Sequence, residues 1–348
     1  MVAALLAAQP DGLRFRSVRM DFSRSLSSTG SWSLAKVFEV VSVIARIVVR
    51  RVVDRPAVLY YPPSGHGLLP ILRDAAILGT TRHLFRSTVY HFHASGLSES
   101  LERMPVVLRR VVRWALGRPD AAVLLSTSAP DEGRALGARR TFVVENGVSA
   151  PAGVHENRSD VAPPVLTFMG LICPGKGAGR LLEVSRRLHA QGVEHRVRLV
   201  GEPESPAYRA ELEATARAAG IADRLEFTGV LAGAEKWRAL RETTVFCFPT
   251  QFHSETSPLV VIEAMAAGVP VVASRWRALP GLVEDGVTGR LVDADDVEGW
   301  VRAVRELLAH PALRADMGAA ARRRFEERHT VEHFQRRMAA VMREVSDA

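Results

Sequence analysis

Phe252-His253-Ser254-Glu255-Thr256-Ser257-Pro258-Leu259-Val260-Val261-Ile262-Glu263-Ala264-Met265-Ala266-Ala267-Gly268-Val269-Pro270-Val271-Val272 is the stretch that decides how the chain is read. Ser257 suits an N-cap and Pro258 the first helical position, which predicts a helix over Pro258–Ala267 and then a strand over Pro270–Ala273. A helix opening there points free N–H groups back along its axis and attracts an anion such as a diphosphate. Glu255 stands just before that helix and Glu263 in its second turn, so two carboxylates flank one anion-attracting helix end. Carboxylates accept hydrogen bonds from sugar and ribose hydroxyls, and the helix end meets phosphate charge. Taken alone, such a pair is solvated surface more often than not.

Outward from this segment the same rhythm repeats. Strands Val165–Met169, Arg196–Val200, Leu225–Thr228 and Val245–Phe248 alternate with helices near Gly179–Ala190, Ala207–Ala219 and Ala234–Arg241, and a further helix follows over Val297–Ala309. Earlier in the chain, strands Leu13–Met20, Ala57–Tyr61, Thr88–Phe92, Ala122–Ser126 and Thr141–Glu145 alternate with helices Leu34–Val53, Leu68–Leu78 and Ser98–Leu116 and a short one near Asp131–Leu136. Alternation of this kind predicts an α/β protein with two Rossmann-like domains facing one another across a cleft, the ligand at the carboxyl ends of the strands. The expected division is 1–155, a Pro-containing polar linker, 163–330, and a charged helix over 331–348. Residues 1–8 read as a helix with no strand and glycine-rich turn before it, so the first domain is expected to begin one βα turn late.

The 348 residues are 47% hydrophobic and 24% charged, a globular balance with length for two cores. The formal charge of +8 is lopsided: residues 1–150 hold 20 basic and 11 acidic side chains, residues 151–348 hold 26 and 27. A basic first half suits an anionic membrane or a phosphorylated substrate, and no nucleic-acid recognition motif accompanies it. The Ser98–Leu116 and Leu34–Val53 helices carry arginines at helical spacing beside apolar residues, which suits an interface with anionic lipid as well as it suits a solvated basic surface. The Val37–Val53 segment is too interrupted by charge to span a bilayer. Two cysteines without metal-ligand spacing and no secretory signal suggest the cytoplasm, with a peripheral place on the inner face of the membrane.

Only Lys36, Lys176 and Lys236 are lysines among 46 basic residues, so each draws notice. Lys176 closes Gly170-Leu171-Ile172-Cys173-Pro174-Gly175-Lys176-Gly177, a flexible loop between a strand and a helix where a phosphate can bind. The loop is one residue short of a P-loop, and Gly177 offers no oxygen for Mg²⁺, which argues against magnesium-dependent nucleotide hydrolysis.

From Pro164 to about Glu327 the chain resembles the C-terminal domain of retaining glycosyltransferases of family 4, which have the double-Rossmann GT-B fold. The resemblance rests on Gly170 with Lys176-Gly177, Leu199-Val200-Gly201, Phe227-Thr228-Gly229, Phe248-Pro249-Thr250, the Glu255/Glu263 pair, the run Ala264–Val272 and Asp285-Gly286-Val287-Thr288-Gly289. More loosely, Asn146-Gly147-Val148 matches the turn before the linker and His91-Phe92-His93 ends a strand where the family often carries an active-site histidine. The resemblance implies a metal-independent transfer of sugar from a nucleotide-diphosphate donor to a glycan or lipid-linked acceptor with retention, and no cofactor besides that donor. It implies catalytic roles for His93, Glu255 and Lys176, and donor contacts from Gly170, Lys176, Ser257, the amides of Leu259 and Val260, and Glu263 on the ribose. Leu171 stands where many members have an arginine, and Pro258 where glycine is frequent. Those departures keep open a second reading, a catalytically impaired protein that still binds nucleotide sugar.

Overall fold

The computed structural model describes residues 4–6, 12–20, 34–128, 131–156 and 161–347. The chain divides into two compact units, one formed by Met1–Glu145 with Phe334–Ala348, the other by Asn146–His333. Each is α/β and each is built on one parallel sheet.

In the first unit, α1 (Leu34–Val53) precedes β1 (Val58–Tyr61), α2 (Leu68–Thr81), β2 (Ser87–His91), α3 (Leu97–Arg103), α4 (Val106–Leu116), β3 (Ala121–Leu124), α5 (Glu132–Ala135) and β4 (Arg140–Val143). The strands lie side by side in chain order, all parallel, so this sheet has no reversal of strand order. The central strands β2 and β3 are buried throughout, as strands covered on both faces must be.

Two sequence expectations fail here. The strand expected over Leu13–Met20 does not form: the segment joins no ladder. Its apolar alternation changes phase at Ser17, so Leu13 and Phe15 pack into one core of the unit and Val18 and Met20 into another, and a strand bound to a sheet would have to keep one phase. The single helix expected over Ser98–Leu116 is two, α3 and α4. Met104 is extended because Pro105 follows it, and proline pushes the preceding residue out of the helical region. Of the helix expected over residues 1–8, residues 4–6 are helical and the rest lie outside the described residues.

The second unit runs β5 (Val165–Met169), α6 (Ala178–Ala190), β6 (Arg196–Val200), α7 (Pro206–Ala218), β7 (Leu225–Gly229), α8 (Gly233–Arg241), β8 (Val245–Phe248), α9 (Leu259–Ala266), β9 (Val271–Ser274), α10 (Leu279–Leu282), β10 (Gly289–Val292), α11 (Val297–Ala309) and α12 (Pro311–Arg328). Its sheet is ordered β10-β9-β8-β5-β6-β7. The chain starts in the middle, builds outward to β7, returns to β8 on the other side of β5 and builds outward again. The β5/β8 junction is therefore a topological switch point, where the loops leaving the two strands turn in opposite directions and open a crevice at their carboxyl ends. The strand β10 and the 18-residue α12 were not read from the sequence.

The last helix, α13 (Val331–Ser346), packs back into the first unit. Phe334, Met338, Val341, Met342 and Val345 are buried against Val89, Ala121, Val123 and Val144. Among the described residues no helix is long and apolar enough to cross a membrane.

Candidate active site

The loops leaving β5 and β8 hold most of the residues singled out in the sequence. After β5, Gly170 adopts φ +141° and a short 3-10 turn over Pro174–Lys176 leads to Gly177 at φ +86°. A Cβ on Gly177 would lie 2.0 Å from the carbonyl oxygen of Pro249, so only glycine lets the β5 loop touch the β8 loop there. The two loops are also joined by the Gln251 N–H donating to the Gly175 carbonyl at 2.8 Å.

That closeness brings Lys176 to Glu255. Lys176 Nζ lies 2.5 Å from Glu255 Oε2, and their side chains are 16% and 8% exposed. Thr250 Oγ1 donates to the same carboxylate oxygen at 3.3 Å, and the ammonium lies over the rings of Phe252 and Phe248 at 4.8 and 5.5 Å from their centroids. Removing either partner of a pair this buried strands a charge, which typically costs about 3–5 kcal/mol.

The helix after β8 starts one residue later than expected. Pro258 has ψ 120° and is itself the N-cap, so Ser257 caps nothing; its carbonyl instead accepts from Asn146 Nδ2 at 2.9 Å. An extended ψ cannot belong to a helical residue, and helix α9 begins at Leu259. Among the described residues nothing accepts from the first amides of the helix, those of Leu259 and Val260, whereas Val261 N–H already donates to the Pro258 carbonyl. Two N–H groups are thus left for an anion, at the positive end of the helix dipole. Glu263 is on this helix and 7% exposed.

A second lysine completes the arrangement and was not placed in the site by the sequence reading. Lys236 on α8 puts Nζ 2.6 Å from Glu263 Oε1, with the side chains 25% and 10% exposed. Its rarity was the only local signal; the partner lies 27 residues on and is brought in by the return of the chain to β8.

His93 belongs to the other unit, just past β2. Burial pushes its imidazole down to about 4, so it is neutral at ordinary pH. It lies against His91, with ring centroids 4.0 Å apart, and His91 Nδ1 is 2.6 Å from Tyr60 Oη. The turn that follows His93 is held by a buried carboxylate on α5: Glu132 accepts from the Gly96 N–H and the Ser98 N–H, both at 2.7 Å. The same turn is backed by Gly65, where a Cβ would lie 2.5 Å from the Ser95 carbonyl oxygen. Asp74 plays the matching part after β1, accepting from the Ser64 N–H at 2.6 Å and the Tyr61 hydroxyl at 2.8 Å. Among the described residues no three His, Cys, Asp or Glu side chains are grouped as metal ligands.

The family model for glycosyl transferases group 1 matches residues 154–324. The D-inositol 3-phosphate glycosyltransferase of Thermobifida fusca is 36% identical over 147 residues, covering 42% of this chain and 33% of that protein. The phosphatidyl-myo-inositol mannosyltransferase of Mycolicibacterium smegmatis is 35% identical over 151 residues, covering 43% and 37%. The matched stretch is thus well under half the length of these curated relatives. Among solved structures, sucrose-phosphate synthase from Thermosynechococcus elongatus superposes with a TM-score of 0.73 at 18% identity, covering 96% of this chain and 86% of that one. HepE of Anabaena, solved in complex with UDP-glucose, gives 0.66 at 20%, covering 87% and 82%. Both share the fold.

Proposed function

We propose, from the match of residues 154–324 to the glycosyl transferases group 1, the retaining family 4, that the chain is a member of that family and transfers a sugar from a nucleotide-diphosphate donor to a hydroxyl of a glycan or lipid-linked acceptor, with retention and without metal. The observation that carries this reading is the placement of two lysine–glutamate pairs and two unbonded helix amides around the β5/β8 switch point. The complex of HepE with UDP-glucose supports a nucleotide sugar as the donor class.

In this reading the diphosphate lies against Lys176 and the Leu259 and Val260 amides, beside Gly170 and Ser257, while Glu263 holds the ribose and Glu255 the transferred sugar. When the bond from the anomeric carbon to the diphosphate oxygen breaks, positive charge builds on the sugar and negative charge on the leaving group. The ammonium and the helix end meet that negative charge with groups already in place, the arrangement that lowers a barrier most. The acceptor oxygen forms the new bond on the face the diphosphate leaves, and its proton passes to the departing diphosphate. His93, being neutral, contributes hydrogen bonding and no charge. The division into an acceptor domain and a donor domain is part of this proposal.

The test is nucleoside-diphosphate release and sugar transfer across a panel of nucleotide sugars. Lys176→Ala is expected to lower kcat about 100- to 1000-fold, the usual effect of removing one preorganised donor, and Glu255→Gln to do the same. Turnover untouched by both substitutions overturns the site. Donor binding by the wild-type protein with no turnover on any donor favours the impaired reading, for which Leu171 and the amide-less Pro258 speak.

A further inference from the structure

Helix α1 is apolar on two sides. Val40, Val43, Ile44 and Ile47 pack into the core of the first unit. On the opposite side, Phe38, Val41, Val48, Val49 and Val52 recur at spacings of three, four and seven and are 76%, 58%, 37%, 57% and 68% exposed. A helix in water normally keeps one apolar stripe and turns charge outward. Helix α4 repeats the pattern, with Val107, Val111 and Trp114 at i, i+4 and i+7 and 74%, 51% and 61% exposed, while Val112, Ala115 and Leu116 are buried.

Contacts tie both helices to one end of α2, which packs between them. Arg51 of α1 donates to the Leu84 carbonyl at 2.6 Å, just past α2. The Trp114 ring of α4 sits on Gly79, where a Cβ would be 3.1 Å from it, and beside His83 at 5.9 Å. Leu84, 41% exposed, lies between.

The charge around these stripes is one-sided. Residues 34–118 hold thirteen Lys and Arg against five Asp and Glu, a surplus equal to the +8 of the whole chain. Arg103, Arg110 and Arg113 are exposed, and among the described residues none of the three is in an ion pair.

We propose that the face formed by α1, α4 and the end of α2 docks on an anionic lipid bilayer, the valines, Phe38 and Trp114 entering the headgroup boundary and the arginines meeting lipid phosphates. The exposed apolar side chains suit the headgroup boundary, and the basic surplus selects a bilayer carrying negative charge. Tryptophan suits this depth because its ring is apolar and its N–H polar. The surface does not depend on the donor site, and its test needs no turnover.

The full chain is mixed with vesicles of phosphatidylcholine, alone or with phosphatidylglycerol, and sedimented. It is expected to pellet with the phosphatidylglycerol vesicles, to stay in solution with phosphatidylcholine alone, and to be released by salt. Arg110→Ala with Arg113→Ala should weaken partitioning about 30-fold, roughly five-fold for each arginine. Val107→Ser with Val111→Ser should weaken it with the arginines in place, and Trp114→Phe should reduce quenching by brominated lipid. All are exposed positions, so the melting temperature should stay unchanged. No pelleting with phosphatidylglycerol vesicles, or equal pelleting with phosphatidylcholine alone, overturns the proposal. A wild-type dimer in solution that Val107→Asp splits also overturns it, because the face then belongs to a second copy of the chain.

Discussion

Lys236 Nζ is 2.6 Å from Glu263 Oε1, so the second glutamate of the site carries a lysine just as Glu255 carries Lys176. Two of the chain's three lysines are spent on two carboxylates beside one helix. Lysine is a compact ammonium and arginine a wide fork, so a chain that otherwise uses arginine has kept lysine where a single oxygen is to be met.

The pairing predicts energetic coupling. Lys236→Met and Glu263→Gln, alone and together in denaturant unfolding, should show an interaction energy of about 1–3 kcal/mol. In kinetics Lys236→Met should raise KM for the donor more than it lowers kcat, since in the proposed site the lysine orients the carboxylate assigned to the ribose and does not meet the leaving group. Additive losses of stability would show that the two side chains do not act together.

His93 sets a pH dependence of stability. Its folded-state value of about 4 lies below the ordinary 6.5, so on acidification the unfolded chain takes up the proton first. Its contribution is complete above about pH 6.5 and is lost progressively as pH falls toward 4, at about 1.4 kcal/mol per pH unit where one proton separates the states. Burial lowers His91 too and adds in the same direction. Melting of the first unit from pH 7 to pH 4 should be less steep in His93→Gln than in wild type. Identical slopes would remove His93 from the account.

Glu132 should govern the turn that follows His93. Glutamine offers one acceptor oxygen where the carboxylate offers two, so Glu132→Gln leaves the Gly96 or Ser98 N–H facing an NH₂ group. A loss of about 1–3 kcal/mol is expected from one unmet buried donor. Hydrogen exchange should quicken at Gly96 and Ser98 with no change in the second unit. In kinetics kcat should fall with donor KM unchanged; a rise in donor KM alone would speak against this role.

Gly177→Ala should be among the most damaging single methyl additions. The new Cβ would meet the Pro249 carbonyl at 2.0 Å in a backbone region that alanine avoids. More than about 4 kcal/mol of destabilisation is expected, read as the shift of the second unit's melting transition. Gly192→Ala, also at positive φ but with nothing within 4 Å, should cost only about 1 kcal/mol and serves as the control.

Much of the candidate site was legible because its information is local. Glu255, Pro258 and Glu263 lie within nine residues, and their relation to a helix start follows from cap chemistry, off by one residue because proline tolerates the cap as well as the first turn. Lys176 was legible from the strand–loop–helix setting. Lys236 and Glu132 were not, because each matters through a partner 27 or 36 residues away that only the topology brings near. The strand expected at Leu13–Met20 and the unbroken helix expected at Ser98–Leu116 failed on single residues, the phase change at Ser17 and the proline at 105. Strand β10 is short and α12 is rich in charge, with no clean apolar stripe to announce a helix.

The return of α13 to the first unit has a consequence for synthesis. The second unit is one uninterrupted stretch and has all its residues once His333 is made. The first unit has its sheet early but lacks Phe334, Met338, Val341, Met342 and Val345, which lie over Val89, Ala121 and Val123. Until the α13 residues leave the ribosome, that face of the sheet has only Leu5, Leu13 and Phe15 to cover it, and the unit begun first is completed after the second.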